Sequence, residues 1–202
     1  MKCETSLFPG LRLIVFAALV SFSPLYAQTR ERESRRLDLS LWFAGATGEE
    51  NSNSFSEAQI LSAGAFVGRT VSGELGSGWR RGTLEYGFDI VPLVLQVSPK
   101  RLYGGGLYPI VLRWNSAVDS RHIAPYIELG GGGLQTSSNF PAGNTSRFNF
   151  LVRGGGGIEL FRGAHHSMDL ACRWWHISNA NLGVRNPEFN GIQVGFAFHW
   201  FK

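Results

Sequence analysis

From Leu37 onward, apolar and polar residues alternate with a period of two in one stretch after another. In 82–95, Leu84, Tyr86, Phe88 and Ile90 share one parity, while Thr83, Glu85, Gly87 and Asp89 share the other. In 146–161, Phe148, Phe150, Val152, Ile158 and Leu160 oppose Asn149, Arg153 and Glu159. The final stretch sets Ile192, Val194, Phe196, Phe198 and Trp200 against Gln193, Gly195, Ala197 and His199. Successive side chains of a strand point to opposite faces, so each stretch predicts a two-faced strand. Eight such stretches are found, at 37–46, 58–71, 82–95, 104–115, 121–135, 146–161, 167–179 and 190–201, separated by turn-rich segments.

Parity alone does not say which face is inside. A soluble β-domain would bury the apolar face, and a membrane barrel would turn it to lipid. The polar face is rich in small residues (Gly87, Gly155, Gly157, Gly195) and carries few lysines, which suits a crowded lumen better than a wetted surface. The runs Gly130–Gly133 and Gly154–Gly157 lie inside alternating sequence, where small residues let strands coil and leave room for large lumen side chains. Neither resembles a phosphate-binding loop, because no Lys-Ser/Thr and no predicted helix follows. The expected fold is all-β: an eight-stranded antiparallel transmembrane β-barrel. Its last strand is aromatic-rich up to Phe201, with Lys202 after it. With both barrel ends in the periplasm, the loops 47–57, 136–146 and 180–190 face outside the cell. The 72–81 loop faces the periplasm and is long for that side.

Export fits this reading. Lys2 and Arg12 precede the apolar run Leu13–Val20, and Ala27-Gln28 offers a cleavage point. The apolar run is shorter than the ~20 residues of a membrane span. Residues 1–27 are therefore expected to be a cleaved signal peptide and 28–202 the barrel domain. Cys3 leaves with the leader, so Cys172 has no internal disulfide partner and reads as a small hydrophobe. The net charge of +4 sits partly in Arg30–Arg36, and no basic stripe interleaved with aromatics points to nucleic acid. No cluster has metal-ligand spacing, and no cofactor is expected. Glu128, Glu159 and Asp169 read as lumen or rim charges paired with Arg153 and Arg173, and Trp174 and Trp200 as interface anchors.

The candidate chemistry lies in Trp175-His176-Ile177-Ser178-Asn179-Ala180 and Asn186-Pro187-Glu188-Phe189-Asn190. His176 and Ser178 are two apart and share the parity of Leu170, Cys172 and Trp174, so an imidazole and a hydroxyl end an apolar, lipid-facing stripe. A base beside a hydroxyl can make a nucleophile, and an acid that holds the imidazole would complete a hydrolase site. Backbone N–H groups after Ser178, or the Asn179 amide, would stabilise an oxyanion.

His176-Ile177-Ser178-Asn179-Ala180, the short loop with Asn186-Pro187 and the amphipathic last strand resemble the outer-membrane lipid A 3-O-deacylases of the PagL type, also called acyloxyacyl hydrolases. The close likeness runs from Trp175 to about Gln193 and extends more loosely over 37–202. The resemblance implies a Gram-negative outer membrane, lipid A of lipopolysaccharide as substrate, Ser178 as nucleophile and His176 as base. It also implies a Glu at the start of the last strand. The corresponding position holds Asn190; Glu188 precedes it by two residues, and another gap placement points to Gln193. Glu188 is the assignment carried forward, with Asn179 and Asn190 in oxyanion or supporting roles. An amide orienter and an incomplete triad stay open. The expected function is an ester hydrolase releasing the 3-O-linked acyl chain. Its rivals are a non-catalytic barrel with a structural or binding role and a phospholipase-like enzyme. Acyl-chain length and a homodimer stay open.

Overall fold

The computed structural model describes residues 37–48, 58–117, 123–141, 145–160, 163 and 165–202. The expected leader lies outside these residues. Eight strands follow in order: β1 (Asp38–Gly48), β2 (Gln59–Thr70), β3 (Gly82–Ser98), β4 (Leu102–Ser116), β5 (Ile123–Phe140), β6 (Ser146–Leu160), β7 (His166–Ser178) and β8 (Phe189–Phe201). Each pairs antiparallel with the next, and β1 pairs with β8 from Asp38↔Phe201 to Gly48↔Gly191, which closes the barrel. Closure leaves no edge strand exposed.

The alternation resolves as a lipid barrel requires. Leu41, Phe43, Ile127, Leu129, Leu170 and Phe196 point outward and are exposed, while Glu85, Asp89, Arg113, Glu128, Arg153 and Arg173 are buried in the lumen. An apolar belt of this extent is not stable against water, and hydrocarbon is the solvent that matches it.

The lumen has two tiers. Toward the end where β1 starts and β8 finishes, it holds a charge network. Glu128 receives Arg113 at 3.1 Å, Arg153 at 2.9 Å and Arg173 at 2.7 Å. Arg153 also meets Asp89, to which Trp42 Nε1 donates. His199 lies between Asp38 at 2.9 Å and Asp169 at 3.1 Å, linking β1, β7 and β8 across the closure seam. Carboxylates only accept, so both ring nitrogens must donate for His199 to satisfy both partners. The expected pairing of Glu128 with Arg153 and Arg173 is present. Asp169 instead takes His199 and the Tyr126 hydroxyl, and Glu159 takes Ser167. Toward the opposite end the lumen is mainly apolar, with Trp175, Ile177, Phe189, Phe140, Leu134 and Leu151 nearly inaccessible and Asn149 buried among them. Trp175 Nε1 donates to Tyr108 Oη at 2.7 Å where the tiers meet. Glycine on the inner face makes room for these side chains: a Cβ at Gly87 would overlap the Phe66 ring.

One boundary differs markedly from the sequence expectation. Residues 136–140, read as loop, continue β5 to Phe140. Thr136 to Asn139 are all polar and carry no alternation, which hid the strand. The pairing there is irregular between Gln135 and Phe140, and Thr136 Oγ bonds the carbonyls of Ser138 and Arg147.

Candidate active site

β7 sets the height of the site. Its twelve steps from His166 to Ser178 cover about 40 Å at ~3.3 Å each. At a barrel tilt of about 40° this projects to roughly the ~30 Å of a hydrocarbon core. His176 and Ser178 therefore sit at one rim of the apolar belt, opposite the end where β1 begins. Ile177, fully buried, points into the lumen and fixes its neighbours outward. Across the sheet, Ser178 faces Phe150 of β6, and His176 lies between Val152 of β6 and Asn190 of β8.

The side chains converge as a chain of hydrogen bonds. His176 Nε2 lies 2.9 Å from Ser178 Oγ. His176 Nδ1 lies 2.8 Å from Asn190 Oδ1. Asn190 Nδ2 donates to Glu188 Oε2 at 3.3 Å. The donor and acceptor roles follow from the far end. A carboxylate accepts only, so Asn190 turns its NH₂ toward Glu188 and its carbonyl toward His176. That carbonyl requires the proton on Nδ1, which leaves the Nε2 lone pair for the Ser178 hydroxyl. The imidazole is also stacked on Trp174, with centroids 5.4 Å apart and planes at 24°. Trp174 was expected only as an interface anchor. The i, i+2 parity that united His176 with Ser178 also placed Trp174 beside His176.

Among the sequence candidates, His176, Ser178 and Asn190 are thus in direct contact, and Glu188 joins them through the Asn190 amide. Phe189, fully buried, is the pivot that turns both Glu188 and Asn190 outward. Gln193 faces the lumen, where it donates to Ser62 at 3.3 Å, so it is remote from the imidazole. Asn179 is buried and holds the following loop. Its N–H donates to Asn186 Oδ1 at 2.9 Å, its Nδ2 to the Arg185 carbonyl at 2.8 Å, and its Oδ1 accepts from Asn181 N–H at 2.9 Å. Asn186 was quoted only within the motif; its role in closing the loop was not legible from spacing.

Below the site, a shallow groove of about 320 Å³ runs down the outer wall between Gly156, Ile158, Leu170, Cys172 and Val194. Its lining is almost wholly apolar, and Gly156, an outward position of β6, leaves room in it by carrying no side chain.

Fold and geometry together define an outer-membrane-type barrel with a histidine-paired serine on its lipid-facing wall. The model of the family described as lipid A 3-O-deacylase (PagL) matches residues 51–199, and the chain belongs to that family. Lipid A 3-O-deacylation is accordingly its function. The crystal structure of the outer membrane enzyme PagL shares the fold at 18% identity and a TM-score of 0.56, covering 79% of this chain and 97% of that one. Neisserial surface protein A is similar at 12% identity and a TM-score of 0.58, covering 81% and 96%. No curated protein sequence matches the chain.

Proposed function

We propose that this barrel, in a Gram-negative outer membrane, cleaves the 3-O-linked acyl ester of lipid A by serine catalysis at Ser178. Ser178 Oγ attacks the ester carbonyl while its proton passes to His176 Nε2. The tetrahedral intermediate collapses by breaking the bond to the sugar oxygen, which takes the proton from Nε2. Water then attacks the acyl-serine, with the same nitrogen as base, and frees the hydroxy fatty acid. Asn190 holds the imidazole in the required tautomer, and Glu188 fixes the orientation of that amide. The acid of the site thus acts one hydrogen bond removed from the base.

Charge developing on the carbonyl oxygen needs donors. Of the backbone N–H groups from Asn179 to Leu182, those of Asn179, Asn181 and Leu182 bond within the loop. That directs the oxyanion to the Ala180 N–H, with Asn179 shaping the turn that presents it. The leaving acyl chain lies in the wall groove beneath Ser178. The observation that carries this reading is the unbroken bond chain from Ser178 through His176 to Asn190. It is tested with a fluorophosphonate probe on the folded barrel. Labelling at Ser178, lost in Ser178→Ala and strongly reduced in His176→Asn, supports it. Equal labelling of Ser178→Ala contradicts it.

A further inference from the structure

The loop joining β7 to β8 is tightly held, yet it turns apolar side chains outward. Asn179 ties it to Asn181, Arg185 and Asn186. The Asn179 carbonyl accepts from Leu182 N–H at 2.9 Å, closing a turn whose central residues, Ala180 and Asn181, have φ of 49° and 64°. Both lie in the left-handed region, which Asn tolerates and Ala adopts only at a cost. Gly183 is pressed against Thr145, where a Cβ would stand 2.9 Å from the backbone. From this frame Leu182 and Val184 project with 65% and 87% of their surface exposed, and Arg185 is exposed beside them.

A rigid turn that shows two aliphatic side chains and a guanidinium beside a reactive serine fits one kind of surface: the layer where acyl chains meet phosphates. Lipid A is a phosphorylated glucosamine disaccharide carrying several acyl chains, so its ester, neighbouring chains and phosphate lie close together. Resting on the Ser178 reading above, we infer that residues 180–185 are a substrate-docking element. Leu182 and Val184 lie among the retained acyl chains of lipid A, and Arg185 pairs with a sugar phosphate. The Arg185 carbonyl is bonded to the residue next to Ser178, so its backbone is anchored beside the site. A guanidinium offers forked donors matched to phosphate oxygens.

The test compares two substrates for the full barrel in phospholipid vesicles: lipid A, and a water-soluble short-chain p-nitrophenyl ester. Arg185→Gln should lose about ten-fold more rate on lipid A than on the short ester, the scale of one charge-assisted hydrogen bond. The pair Leu182→Asn/Val184→Asn should lose at least about ten-fold more, from the apolar contact given up. Arg185→Lys should recover part of the loss. Removing the phosphates from lipid A should erase the Arg185→Gln deficit and leave that of the aliphatic pair. Equal losses on both substrates, or no loss on lipid A, would overturn the inference. Failure of the Ser178 reading shows separately, as short-ester hydrolysis retained by Ser178→Ala, and it would remove the docking role with it.

Discussion

Replacing Asn190 by Asp adds a charge where His176 now meets a neutral carbonyl. The side chains are isosteric, so an oxygen stays 2.8 Å from Nδ1. The second oxygen, however, would face Glu188 Oε2, which now accepts from Asn190 at 3.3 Å. Two carboxylates at that separation repel, so the informative variant is Asn190→Asp/Glu188→Gln, in which the Gln amide donates to the new carboxylate. An imidazolium and a carboxylate about 4 Å apart attract by roughly 4 kcal/mol at an effective dielectric of 20 and by about 1 kcal/mol in water. His176 is half-buried, so about 1–3 kcal/mol is the relevant range. If that energy stabilises the transition state, kcat rises about five- to 160-fold. The assay is kcat on a short ester for wild type, Asn190→Asp and the double variant, with folding checked by heat-dependent migration. The single variant should gain less than the double. A correctly folded double variant no faster than wild type would refute the reasoning, because His176 would then not be a base that becomes cationic in the transition state.

Glu188→Gln alone should slow hydrolysis about three- to ten-fold, because a Gln can donate or accept and no longer dictates the Asn190 orientation; an unchanged kcat would deny Glu188 its role. Cys172, exposed on the wall, lines the groove, and Cys172→Trp should fill it; lipid A turnover should fall several-fold relative to a two-carbon ester, as measured by fatty-acid release. His199→Gln takes one donor from Asp38 or Asp169, while Arg113 still reaches Asp38 and the Tyr126 hydroxyl still donates to Asp169. It should cost about 1–3 kcal/mol of barrel stability, seen as an earlier loss of the compact band on heating.

Strand number, strand faces and the side of the wall carrying His176 and Ser178 were legible because a period of two assigns faces without any tertiary knowledge. Leu170, Cys172, Trp174, His176 and Ser178 share one parity, and all point outward. What meets His176 was less legible. It depends on the β7–β8 register, His176↔Asn190, which the closed barrel fixes through pairings on both sides of β8. Counting along the chain put Asn190 at the acid position but left Glu188, Asn190 and Gln193 in competition. Gln193 already carried the lumen parity of the last strand, opposite to that of Ile192 and Val194, whereas the bond from Asn190 to Glu188 comes only from the packing around Phe189. The strand extension to Phe140 escaped because polar residues there pair without alternating. The seam bridge through His199 escaped because Asp38 and His199 are 161 residues apart.

The central claim is that this barrel removes an acyl chain from lipid A through Ser178. Mass spectrometry of lipid A from Gram-negative cells making the wild-type barrel, the Ser178→Ala barrel or neither tests it most directly. The account predicts loss of one 3-O-linked hydroxyacyl unit with the wild type, and unaltered lipid A with Ser178→Ala at equal amounts of folded barrel. Unaltered lipid A in wild-type cells, with free fatty acid arising from glycerophospholipid instead, would contradict the substrate. Deacylated lipid A in Ser178→Ala cells would contradict the nucleophile.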